Sequence, residues 1–122
     1  TVYWVISNSQ AANYMFAMGD TSAYNFHGGT GSLMFSSSYS TVDRVRIDGT
    51  ELTRDTANRP TALKVVTAQF AGDTPACQFA KDRVYDNPSW VGNLLLWLAY
   101  SSTHTTEQMQ SVEAGIKSYF GV

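Results

Sequence analysis

From Val2 to Tyr100 the apolar residues come in short runs, rich in Val, Ile, Tyr, Phe and Trp, separated by clusters of Gly, Asn, Asp and Ser. That punctuation belongs to β-strands and turns. Eight runs qualify as strands, near residues 2–7, 13–18, 23–27, 32–36, 42–48, 62–70, 76–81 and 93–100, and strands this short and this many point to a sandwich. Asp48-Gly49, following Val45-Arg46-Ile47, predicts a tight hairpin that returns through Thr50-Glu51-Leu52. His27-Gly28-Gly29-Thr30-Gly31 supplies positive φ for another reversal.

After Tyr100 the period changes. Thr105-Thr106-Glu107-Gln108 fits a capping box, with Thr105 as the cap and Gln108 reaching back. Met109, Val112, Ile116 and Tyr119 then recur at helical spacing, and Gly121 after Phe120 is a stop signal. The stripe predicts one amphipathic helix laid on the sandwich. The segment Thr53 to Pro60 reads as an ordinary surface loop, and no repeat or linker divides the 122 residues, which suffice for one core. The longest apolar stretch, Leu94 to Tyr100, is about seven residues where a membrane helix needs about 20, so it is expected to be a buried strand with no membrane span. A strand beginning at Val2, directly after Thr1, leaves no room for a signal peptide and predicts a processed or truncated chain.

Composition narrows the function. Eight basic against ten acidic residues, with a net charge of −2, provide no electrostatic footprint for a phosphate backbone, so no nucleic-acid partner is expected. Charged residues are only 15%, whereas the chain holds 13 Ser and 13 Thr, so its surface is built from hydroxyls, amides and aromatics rather than ion pairs. Such surfaces suit an extracellular or virion location. The single Cys77 forms no internal disulfide; inside Ala76-Cys77-Gln78-Phe79-Ala80 it reads as a small buried hydrophobe.

Three blocks resemble the C-terminal part of a concanavalin A-like, laminin-G-like jelly roll, of the type found in secreted bacterial proteins and phage tail or virion proteins. The first is Thr1-Val2-Tyr3-Trp4-Val5-Ile6 with Met18-Gly19-Asp20 and Phe26-His27-Gly28-Gly29. The second is Val45-Arg46-Ile47-Asp48-Gly49-Thr50. The third runs from Phe79-Ala80-Lys81-Asp82-Arg83 through Trp90-Val91-Gly92-Asn93-Leu94 and Tyr100-Ser101-Ser102 to Thr106-Glu107-Gln108, Ser111-Val112-Glu113-Ala114 and Tyr119-Phe120-Gly121. The resemblance implies an all-β fold, a concanavalin A-like β-sandwich (jelly roll) with one C-terminal α-helix, spanning residues 1–122 as a single domain that lacks its first strands. Leu96 stands where the family carries an acidic residue. An incomplete sandwich leaves an unpaired edge, so a second polypeptide or a copy of the same chain is expected to complete it.

No catalytic constellation stands out. Glycosidases of this fold set carboxylates at alternate positions of one strand, but Asp43, Asp48, Glu51, Asp55, Asp82 and Asp86 are dispersed, and Glu107 and Glu113 lie on the helix. The glycine-rich stretch lacks the Lys-Ser/Thr of a P-loop and precedes a strand. Binding is the better expectation: a non-catalytic glycan-binding or adhesion module, or alternatively a structural or assembly domain of a phage virion. Sugars are held by an aromatic platform with amides and carboxylates around it. Tyr85, Asp86, Asn87 and Trp90 form the densest such set, although Trp90 also fits the core at the start of the last strand. Asp20 and Asn25 flank a polar loop whose oxygens suit calcium, but too few ligands are placed to specify a metal, and no other cofactor is implied.

Overall fold

The computed structural model describes residues 1–8, 32–35, 41–72 and 92–122. These residues form β1 (Val2–Asn8), β2 (Val42–Ile47), β3 (Thr50–Leu52), β4 (Lys64–Phe70), β5 (Gly92–Ala99) and α1 (Thr106–Phe120). The strands make one antiparallel sheet in the order β3-β2-β4-β1-β5, with α1 as the only helix among the described residues. A β-rich fold with a C-terminal helix is therefore established. Predicted strands 13–18, 23–27 and 76–81, together with Cys77 and the glycine-rich turn at His27, lie outside the described residues.

β1 sits at the centre and is buried along its whole length, as a strand with neighbours on both sides and cover on both faces must be. One face of the sheet holds Val2, Trp4, Ile6, Val45, Val66 and Phe70, with Met34, Phe35 and Ala57 packed against them. The other face holds Tyr3, Val5 and Val65 against Ile116 of the helix. β2 reaches both faces through a bulge between Val42 and Arg44, which turns Val42 and Val45 to one side and Arg44 and Arg46 to the other. Asp48 at φ 50° and Gly49 at φ 88° make the turn into β3, the positive-φ pair that Asp-Gly favours. The helix carries its full capping box, with Thr105 Oγ1 accepting from Gln108 N and Gln108 Oε1 accepting from Thr105 N. Gly121, at φ 68°, ends it.

Four expectations need correction. Of the predicted strand 32–36, residues 32–35 are described, and they make a single bridge, Leu33 to Asn58. Met34 and Phe35 are both buried in the same cluster, which a two-faced strand forbids for successive residues. The loop after Thr53 is not an ordinary surface loop. Its end is drawn inward, with Ala57, Arg59 and Pro60 buried, and Arg59 Nε donates to Leu33 O while Asn8 N donates to Pro60 O. Tyr119 leaves the apolar stripe and is 84% exposed, because the next inward position after Ile116 is four residues on, at Phe120. Finally, β5 is a strand but not a buried one. None of its eight residues is buried, since among the described residues it has a neighbour on one side only.

Candidate functional site

Three places gather chemistry. Beneath α1, Arg46 and Glu113 form a buried ion pair: Arg46 Nε donates to Glu113 Oε1 at 2.9 Å and Nη2 donates to Oε2 at 3.1 Å. Thr67 Oγ1 donates to the same Oε1 at 2.7 Å. Arg46 also donates to the Gly49 carbonyl at 2.6 Å and to Glu51, which Arg44 grips with two further bonds of 2.7 Å each. Hydrogen bonding to Arg44, ahead of every other cause, holds the Glu51 carboxyl below its usual range. Both oxygens of Glu113 are taken, so this network ties the helix to β2 and β4 and offers no open carboxylate for catalysis.

At one end of the sheet, Tyr3 OH lies 2.7 Å from His104 Nδ1, and the Tyr100 ring packs on His104 with centroids 4.4 Å apart. His104 N in turn donates to Thr1 Oγ1 at 3.0 Å. Burial lowers the His104 pKa, with the neighbouring Thr1 amino group a second cause, so the ring is neutral near pH 7; Nδ1 accepts the Tyr3 hydrogen when the ring proton is on Nε2 and donates to the Tyr3 oxygen when it is on Nδ1. This corner fastens the start of β1 and the end of β5 to the entry of the helix. The corner does set a hydroxyl beside a base, but Tyr3 is fully buried and its pKa is pushed up to about 12, so the pair serves structure rather than nucleophilic attack.

The third place is the outer side of β5. Thr1 and Tyr100 exchange two backbone bonds, Tyr100 N to Thr1 O at 2.8 Å and Thr1 N to Tyr100 O at 3.1 Å. Bonded and non-bonded pairs alternate along an antiparallel ladder. Tyr3/Leu98 is therefore the next bonded pair, and Val2/Ala99 and Trp4/Trp97 are the non-bonded ones. It follows that the N–H and C=O groups of Trp97 and Ala99 point away from β1, where no described strand meets them. Side chains on this strand are open too: Leu95 is 48% exposed, Trp97 45%, and Tyr100 just beyond it 39%. Leu95 is the extra residue of a bulge opposite Val5 and Ile6.

The two margins of the sheet differ in kind. β3 is three residues long, carries Glu51 clasped by Arg44, and so is short and charged, as protected edges are. β5 has eight residues, and from Gly92 to Thr103 no side chain is charged and none is proline. Of the usual deterrents to strand addition it carries only the bulge at Leu95, which leaves the regular stretch from Leu96 onward.

The residues singled out for binding, Tyr85, Asp86, Asn87 and Trp90, and the calcium candidates Asp20 and Asn25, lie outside the described residues. Among the described residues no group of three His, Cys, Asp or Glu is placed to hold a metal, and no helix is long and apolar enough to cross a membrane. The sequence predicts an unpaired edge without placing it on β5, because the neutral apolar run Leu94 to Tyr100 is equally the signal of burial. No family model, curated protein or solved structure matches the chain.

Proposed function

We propose that the chain is a non-catalytic assembly or adhesion module that receives an extended segment of a polypeptide along β5. The observation that carries this reading is the pair of backbone positions, Trp97 and Ala99, that no strand meets among the described residues, on a long uncharged strand flanked by the exposed side chains Leu95, Trp97 and Tyr100. Strand addition draws its affinity from such main-chain groups and its specificity from the side chains that alternate beside them. The jelly-roll resemblance and the hydroxyl-rich composition support placing the module on a secreted or virion surface.

Glycan binding is the second reading, and the exposed rings of Trp97 and Tyr100 favour it, since aromatic faces are what sugars stack on. One experiment separates the two. The chain is screened against displayed short extended peptides and, in parallel, against a glycan array at millimolar ligand. The strand reading expects peptides of alternating apolar pattern to bind, to lose binding when their backbone amides are N-methylated, and to lose it with Leu95→Lys. Glycan binding abolished by Tyr85→Ala or Asn87→Ala, with no peptide retained, overturns it in favour of the lectin reading.

A further inference from the structure

The chemistry of β5 also names an occupant. Building on the strand-acceptor reading above, we infer that the segment β5 receives is β5 of a second copy of this chain, running antiparallel about a two-fold axis at Leu98.

The open positions Trp97 and Ala99 are two residues apart, on either side of Leu98. With the axis at Leu98, Trp97 of one copy stands opposite Ala99 of the other, and every outward N–H at these two positions meets an outward C=O. The strand is its own complement in this register. It also sets the large indole of Trp97 beside the methyl of Ala99, large against small. Leu98 meets its counterpart at the axis, on the helix side of the sheet, where Leu96 and Leu98 are only partly buried because α1 packs over β4.

Charge permits the pairing. With no charged side chain from Gly92 to Thr103, no register brings like charges together, although the chain as a whole is negative. Area sets its strength. Leu95, Trp97 and Tyr100 expose on the order of 300 Å² of apolar surface per copy if large side chains bury ~150–250 Å² each, against about 800 Å² per partner in a standard interface. The dimer is accordingly weak and forms with rising concentration.

The test joins sedimentation of the chain, from micromolar to near-millimolar concentration, with cysteine crosslinking in a Cys77→Ser background. Leu98→Cys places two thiols at the axis in a non-bonded pair, where Cα atoms are about 4.5 Å apart and a disulfide closes without strain. Leu95→Cys is the more open of the two to solvent but lies beyond bridging distance of its counterpart. A concentration-dependent dimer, weakened about tenfold or more by Trp97→Lys, with Leu98→Cys crosslinking about tenfold faster than Leu95→Cys, is the expected result. A dimer with no preference for Leu98→Cys overturns the inference. So does a monomer at every concentration; if apolar peptides still bind β5, the strand-acceptor reading survives it, and if they do not, both fall. Should Leu98→Cys fail to fold, the Trp97→Lys sedimentation result decides alone.

Discussion

Glu113 is the residue on which the helix depends. It occupies the helical face between Met109 and Ile116, where an apolar side chain would ordinarily sit, and it is buried. Its carboxylate is matched by Arg46 and Thr67, so the cost of burial is offset only while all three are present. Glu113→Ala strands the Arg46 guanidinium in the interior, and chemical denaturation is expected to register a loss of about 3–5 kcal/mol. Replacing the pair together, Arg46→Met with Glu113→Leu, is expected to recover most of that loss, because no unpaired charge remains. A single variant as stable as the parent would refute the assignment. This residue also marks the limit of sequence reading. A glutamate on a helix looks solvated, and its partner is 67 residues away in the chain, so no local pattern joins them. By contrast the capping box at Thr105 and the Asp48-Gly49 turn were legible, since each is completed within a few residues by side-chain chemistry that acts locally.

Among the elements, strand existence followed from composition while strand position did not. The runs that became β1, β2, β4 and β5 were all recognisable, yet β1 and β5, both strongly apolar, ended in opposite situations, one enclosed and the other half open. An apolar run states that a strand needs cover; it does not state which neighbour provides it. The Tyr85, Asp86, Asn87 and Trp90 set rests on residue types close together in the chain, and it lies outside the described residues. What positions β5 against β1 is partly a glycine. A Cβ on Gly92 would run into the Ser7 carbonyl oxygen and stand 2.9 Å from its carbon and 3.0 Å from Asn8 Cα, all backbone atoms. Gly92→Ala must therefore push the start of β5 away from Asn8. A loss of about 1–3 kcal/mol is expected by denaturation, with faster amide exchange at the Ser7 to Asn8 end of β1. An unchanged midpoint would show that this end of the ladder carries no weight.

Across the whole molecule, stability should fall in two steps on the acid side and one on the alkaline side. The His104 pKa is lowered below its usual 6.5 in the fold, so the unfolded chain takes up the proton first; this contribution is present above pH 6.5 and drains away as pH falls below it. Glu51, held down by Arg44, adds a second loss below about pH 4.5. Tyr3 acts in the opposite direction: burial first, then the Glu113 charge, pushes it up to about 12, so its contribution holds up to pH 10 and is lost between there and about pH 12. Thermal melts across this range, with an imidazole titration of His104 by NMR, check the profile. A His104 midpoint at or above 6.5 would remove the first acid step.

The central place of β1 has a consequence for how the molecule is made. β1 precedes in the chain both of the strands that flank it: Val2 pairs with Ala68 on one side and with Ala99 on the other. The β2–β3 hairpin can close within moments of its synthesis, but Val2–Asn8 must wait, extended and apolar, for Lys64–Phe70 and then for Gly92–Ala99. Refolding from denaturant should thus be slow for a chain of this size, because the central strand gains its two neighbours only through pairings that close long stretches of chain.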